Sequence, residues 1–308
     1  MKSVSARNCR SGFTPRFIAR GLGYSRRKAA PTILAVLSLL PAAARGAGAA
    51  LGFDRSALEL TWDDNLSNSD RGSDRIDGLM TALVAEGSDR KSLANDNSLT
   101  ITIRFKFETA WDYRKLALGT LGWTFSGDHK FGVGPFAPIV GATLGMDALG
   151  AGEKARTGLD GVADVHARFR LSNATVVELR EEFTRRGAHN DVFDGSAHES
   201  FLVLIQDAGE HWQITGTARV RQGDVVSYAL PPRPDLLAEA GAFTSLDTFG
   251  AARTAYSLNA RSVTGALSAA YRMDSGLTFS AGYENRDTRR GTIKYGNNRW
   301  LFVVSKRI

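Results

Sequence analysis

The sequence predicts an all-β protein: a closed antiparallel transmembrane β-barrel of about 12 strands, with short periplasmic turns and longer outer loops. Three observations carry this. Beyond residue 50, apolar and polar residues alternate almost everywhere, the period of a strand with one greasy and one charged face. The alternating runs are about 10–15 residues long, above the ~5–6 usual in soluble sheets and suited to a tilted membrane strand. Tight and long polar connections also tend to follow one another in turn.

Taken in order, the first strand is expected over 56–65, where Leu58, Leu60 and Trp62 alternate with Glu59, Thr61 and Asp63. The second is expected over 75–86. The third, 98–112, has the clearest pattern: Leu99, Ile101, Ile103, Phe105 and Phe107 face one way, Thr100, Thr102, Arg104, Lys106 and Glu108 the other. Strands four and five are expected over 115–126 and 130–146, joined at "GDH". Strands six and seven, 160–172 and 176–186, meet at "NAT". They set Val165, Phe169, Leu171, Val177 and Leu179 against Asp164, His166, Arg168, Arg170, Glu178, Arg180 and Glu182. Glu181 is a lone charge on their apolar face. Strands eight and nine, 199–207 and 210–222, meet at "AG", and Trp212, Ile214 and Val220 oppose Gln213, Arg219 and Arg221. Strands ten to twelve are expected over 252–273, 277–286 and 297–308, with "DSG" closing the first pair and Gly276 at its left-handed position.

Turn geometry fixes register. "DSG" places Tyr271 opposite Phe279 and Leu267 opposite Tyr283. "AG" places Ile205 opposite Trp212 and Val203 opposite Ile214. "NAT" places Arg170 opposite Glu178 and His166 opposite Glu182. Trp62, Trp111, Trp123, Tyr256, Tyr283 and Trp300 are candidates for interfacial aromatic girdles.

The formal charge of +7 belongs to the first 50 residues, whose nine Lys and Arg have no acid among them; without them the chain carries −2. The basic balance therefore gives no support for nucleic-acid binding. Residues 1–49 read as a signal peptide: a basic region, the apolar run "PTILAVLSLL", then small residues with cleavage near 44–49. Residues 50–308 form the barrel. The single cysteine, Cys9, lies in the leader, so thiol chemistry is absent from the barrel.

The leader, "TWDDNLSNSD" (61–70), "RRGAHNDVFD" (185–194), "RQGDVVS" (221–227) and the final amphipathic strand resemble uncharacterised outer-membrane β-barrel proteins of Gram-negative bacteria, porin-like in type. The resemblance implies an outer-membrane location, contact with lipid and lipopolysaccharide, and a C-terminal strand read by the barrel-insertion machinery. Where such strands usually end in an aromatic residue, this one has Lys306 and Ile308.

The strongest functional feature is the charged face, expected to line the lumen: Arg104, Lys106, Glu108, Asp164, His166, Arg168, Arg170, Glu178, Arg180, Glu182, Arg219 and Arg221. Such a wall suits a narrow channel or an envelope or export component. Two alternatives stand beside it. His198 and Ser200, on one face of a strand, suit a lipid-modifying hydrolase, but no orienting carboxylate is evident, and the register sets His198 near Arg219 at a loop rim. The loop 223–251 suits a docking barrel. The acidic loop "WDDNLSNSDRGSDRID" lacks the spacing of a calcium loop, so no metal is assigned, nor any cofactor. The overall expectation is a non-enzyme.

Overall fold

The computed structural model describes residues 53–93, 96–250 and 252–308; the expected leader lies outside them. The strands are β1 (Arg55–Asp63), β2 (Gly78–Ser92), β3 (Asn97–Ala110), β4 (Leu118–Lys130), β5 (Ile139–Ala151), β6 (Gly158–Arg170), β7 (Thr175–Ala188), β8 (Gly195–Ala208), β9 (Trp212–Ala229), β10 (Ala242–Leu246), β11 (Arg253–Arg272), β12 (Leu277–Arg290) and β13 (Ile293–Arg307). A short helix, α1 (Pro234–Glu239), precedes β10. Twelve strands close into an antiparallel barrel: each pairs with its neighbours, β9 joins β11, and β13 joins β1. β10 stands outside the ring and pairs with the first residues of β11.

The strand count and order match the sequence expectation; several turns do not. "GDH" lies inside β4, and the connection to β5 is 131–138, where Gly132 and Gly134 take positive φ and Pro135 and Pro138 break the ladder. β2 runs on to Ser92, so the apparent long connection after it shrinks to 93–96. At the other end, β12 and β13 are joined by Gly291 and Thr292 alone, a tight turn where a long loop was expected.

Register follows expectation at "DSG": Tyr271 faces Phe279 and Leu267 faces Tyr283, with Gly276 at φ 78°. At "NAT" it slips by two, so Arg168, not Arg170, faces Glu178, and His166 faces Arg180. At "AG" it slips by three. Gly209 takes the left-handed position at φ 78° and opens a loop over 209–211, so Ile205 faces Thr215 and Val203 faces Thr217. An odd slip exchanges faces. Leu202 and Leu204 are therefore exposed on the outer side of β8, while Phe201, Val203 and Ile205 turn the other way.

One face of the ring is an unbroken apolar surface over β3, β4 and β5, where Ile101, Phe125 and Leu144 share one row and Phe105 and Leu121 another. Trp62, Trp300 and Tyr283 stand side by side on β1, β13 and β12 near the long-loop end, the last two with ring centroids 4.8 Å apart. Tyr256, expected in a girdle, is instead buried among Leu236, Leu258, Ile293 and Tyr295, because its part of β11 rises beyond the ring.

The opposite face is concave, as its contacts require. Arg104 of β3 reaches Asp147 of β5 at 3.0 Å, and His166 of β6 reaches Asp128 of β4 at 3.0 Å, each across an intervening strand. The residue between the first pair in its row is Gly122, and between the second Gly141. A Cβ on either would collide with the charged atoms that meet above it, which is why glycine stands there. The apolar rows and these ion pairs thus lie on opposite faces of the sheet, with the ion pairs on the face where side chains meet across an intervening strand.

Candidate functional site

The concave face carries a series of ion pairs and triads. Lys106 holds Glu108 at 3.0 Å and Glu59 of β1 at 3.4 Å. His166 bridges Asp164 and Asp128, each at 3.0 Å. Arg168 clasps Glu178 at 2.8 Å through two of its nitrogens. Arg180 lies over the Phe201 ring at 4.1 Å and sits 3.7 Å from Glu182. Arg221 and Arg219 share Glu199, at 2.9 and 3.5 Å, and Arg219 also reaches Glu284 of β12 at 3.9 Å. Arg170 lies at the turn and donates to the Asn173 carbonyl, so its expected pair with Glu178 does not form.

Several residues of these contacts lie outside the set that the sequence analysis expects on the charged face. Asp128 belongs to the expected "GDH" turn but lies in β4. Asp147, Glu199 and Glu284 lacked an identified partner in a two-strand view. Arg186, Arg286 and Arg299 fell in or beyond the expected strand ends. Arg299 binds Asp63 at 2.6 Å and Glu284 at 3.5 Å. Asp160, Arg186, Arg221 and Arg286 line a cavity of about 300 Å³ with Asn68 above them.

The long-loop end of the barrel is closed. Leu66 and Ile76 of the β1–β2 connection, Tyr113 and Leu116 of β3–β4, Ala155 of β5–β6, Val192 and Phe193 of β7–β8, and Phe249 before β11 pack in one apolar cluster with Tyr228 of β9. Phe249 meets Tyr113 and Tyr228 edge-on at 5.1 and 5.0 Å. The strands carrying these loops stand around the ring, so the loops must converge over its opening to touch.

Polar contacts fix the β1–β2 connection across the mouth. On one side Asn297 of β13 donates to the Asn65 carbonyl at 2.7 Å, and Asn65 donates to the Gly296 carbonyl at 3.1 Å. On the other, the amide of Tyr228 donates to the Ser67 carbonyl at 2.8 Å, and Asn68 to the Val226 carbonyl at 3.0 Å. This docking uses the edge of β9 that β8 leaves unpaired beyond Gly223. The expected loop 223–251 is thus largely structured: 223–229 belong to β9, and the rest holds α1 and β10.

Arg233, just before α1, locks the assembly. Its guanidinium binds Asp70 at 2.8 Å, Asp74 at 3.2 Å and Asp235 at 2.7 Å. The hydrogen bond from Arg233 is the main cause holding the Asp235 carboxyl down to about 2. A carboxyl depressed in the folded state contributes stability above the ordinary range near 4, and that stability is lost as pH falls through the depressed value. A spin label at Ser73→Cys should accordingly stay ordered from pH 7 to 5 and become mobile between about pH 4 and 2. Mobility rising between pH 7 and 5 would assign the lock to other groups.

No protein-family model matches the sequence, and no curated protein does. Among solved structures, an outer membrane channel from Pseudomonas putida F1 is similar with a TM-score of 0.51, at 10% identity over 83% of this chain and 96% of that one. The NanC porin aligns at 0.46, with 7% identity over 82% and 100% of the two chains. The KdgM porin in complex with disordered oligogalacturonate aligns at 0.44, with 9% identity over 82% and 99%. At such identities the likeness is one of fold. The class that this fold defines is the outer-membrane type of β-barrel.

Proposed function

We propose that this protein resides in the outer membrane and acts as a narrow channel, or as the membrane component of an envelope or export system, with an Arg-rich interior and a loop-closed outer mouth. The observation that carries the reading is the ladder of ionised side chains along the concave wall. Such groups suit a space that water or a polar solute shares, since charges are costly to bury in a dry core. The closed mouth makes this a gated path. The outer belt would meet lipid and lipopolysaccharide, and the final strand would be read by the insertion machinery.

Reconstituted in a planar bilayer, the purified barrel is expected to give small, infrequent conductance steps. Their complete absence at every salt concentration and voltage, with Arg233→Ala equally silent, rejects the channel.

A further inference from the structure

Glu181 is out of place on the exterior. It lies on β7 between Leu179 and Phe183, and Val165 flanks it on β6, all three exposed on the apolar side. A carboxylate in such a belt is costly unless it is partnered. It has two partners. His198 Nε2 lies 2.9 Å from Oε2, and Ser200 Oγ donates to the same oxygen at 2.8 Å. The side chains of His198 and Glu181 are 62% and 53% exposed, so the group opens outward, away from the lumen. The carboxylate that the sequence did not reveal beside His198 is supplied by the neighbouring strand, and His198 faces Gln222, not Arg219.

The position selects the chemistry. His198 stands three residues from the start of β8 at the loop end; with the loops outward, as the proposed function has them, that is the outer rim of the apolar belt, where the outer leaflet would pass from hydrocarbon to headgroup. The bonds of a lipid at that depth are the esters joining its acyl chains. Leu202 and Phe183 offer an apolar bed for a chain, and Arg185, next along the same exposed face of β7, offers a cation for a phosphate. A hydroxyl already hydrogen-bonded to a carboxylate, with an imidazole on that carboxylate, is the makings of an activated nucleophile.

We propose that Glu181, His198 and Ser200 form a lipid-facing esterase site that hydrolyses acyl esters of outer-leaflet lipids. Ser200 Oγ bonds to the ester carbonyl carbon while its proton passes to Glu181 Oε2. The carbonyl re-forms, the C–O bond to the lipid breaks, and the departing alkoxide takes that proton. Water then attacks the acyl-serine, giving a proton to Glu181 and releasing the fatty acid as Ser200 recovers its own. Ester and water become acid and alcohol, with no other reactant. His198 positions the carboxylate and steadies its charge between steps.

The proposal requires a barrel in a membrane but not conduction, so the two readings fail separately. The test uses purified wild type, S200A, E181Q and H198N in mixed micelles with lipopolysaccharide or dipalmitoylphosphatidylethanolamine, reading released fatty acid by mass spectrometry. A fluorophosphonate probe tests Ser200 directly, and heat-modifiable gel migration verifies folding. Wild type should release fatty acid and carry the probe on Ser200. S200A should lose both, release falling at least 100-fold, and E181Q should fall comparably. H198N should retain part of the activity with a shifted pH profile. Undiminished release by folded S200A, or no release and no labelling by wild type with either lipid, overturns the proposal.

Discussion

Replacing Arg233 by alanine is expected to unlock the mouth while leaving the barrel closed. The Arg233 side chain is 1% exposed, and Asp74, which it binds, is 4% exposed. Removing the guanidinium leaves the buried Asp74 carboxylate with its nearer countercharge gone and Arg253, at 3.9 Å, remaining. Breaking a buried pair on one side costs about 3–5 kcal/mol. Asp74 also accepts from the amide of Leu230, and its carbonyl takes the Ser67 hydroxyl and Arg253. Disturbing it therefore loosens both the β1–β2 connection and the segment before α1. None of these contacts belongs to the barrel ladder, so heat-modifiable migration should persist. Conductance steps should become larger or more frequent, and a spin label at Ser73→Cys should become mobile. Arg71→Ala, which removes an exposed partner of the same Asp235, should cost below about 1 kcal/mol and change neither. Equal conductance and label mobility in Arg233→Ala and wild type would move the lock elsewhere.

Leu144→Arg is expected to destabilise the protein strongly in a bilayer, although the residue looks like surface. Leu144 is 65% exposed at the middle of β5, flanked in its row by Phe125 and Ala163. On a wet surface such a change stays within about 0.5 kcal/mol. On the lipid face near the midplane it costs about 2–4 kcal/mol. Urea-dependent folding into phospholipid vesicles separates the two. A loss below about 0.5 kcal/mol would mean that water, not hydrocarbon, covers β3, β4 and β5.

Both experiments bear on why the sequence was readable in some places and opaque in others. Alternation survives as long as one face meets a uniform environment, so "SLTITIRFKFETAW" announced β3 and its faces without help. "GDH" misled because Gly, Asp and His are also what a concave wall needs where Asp128 must reach His166 past a strand. Turn composition and lumen chemistry draw on the same residues. "AG" misled because Val203 and Ile205 are as apolar as Leu202 and Leu204, so either face of β8 could have been the greasy one. Gly209 alone decided it, by its backbone conformation. The closed mouth was invisible for another reason: Leu66, Phe193 and Phe249 lie in different loops, and only closure of the ring brings them together. Glu181 was legible as an anomaly, yet its partners lie on the next strand at a register the sequence did not fix.

β9 and β11 climb beyond the ring as a paired ribbon, and one of the two anchors of the β1–β2 connection sits on it. Residues 224–229 rise about 20 Å at ~3.3 Å per residue. A stiff arm of that length turns a rotation of about 15° at its root near Gly223 into about 5 Å of travel at its tip. Small angular play at one point on the rim is thereby geared up into displacement over the opening.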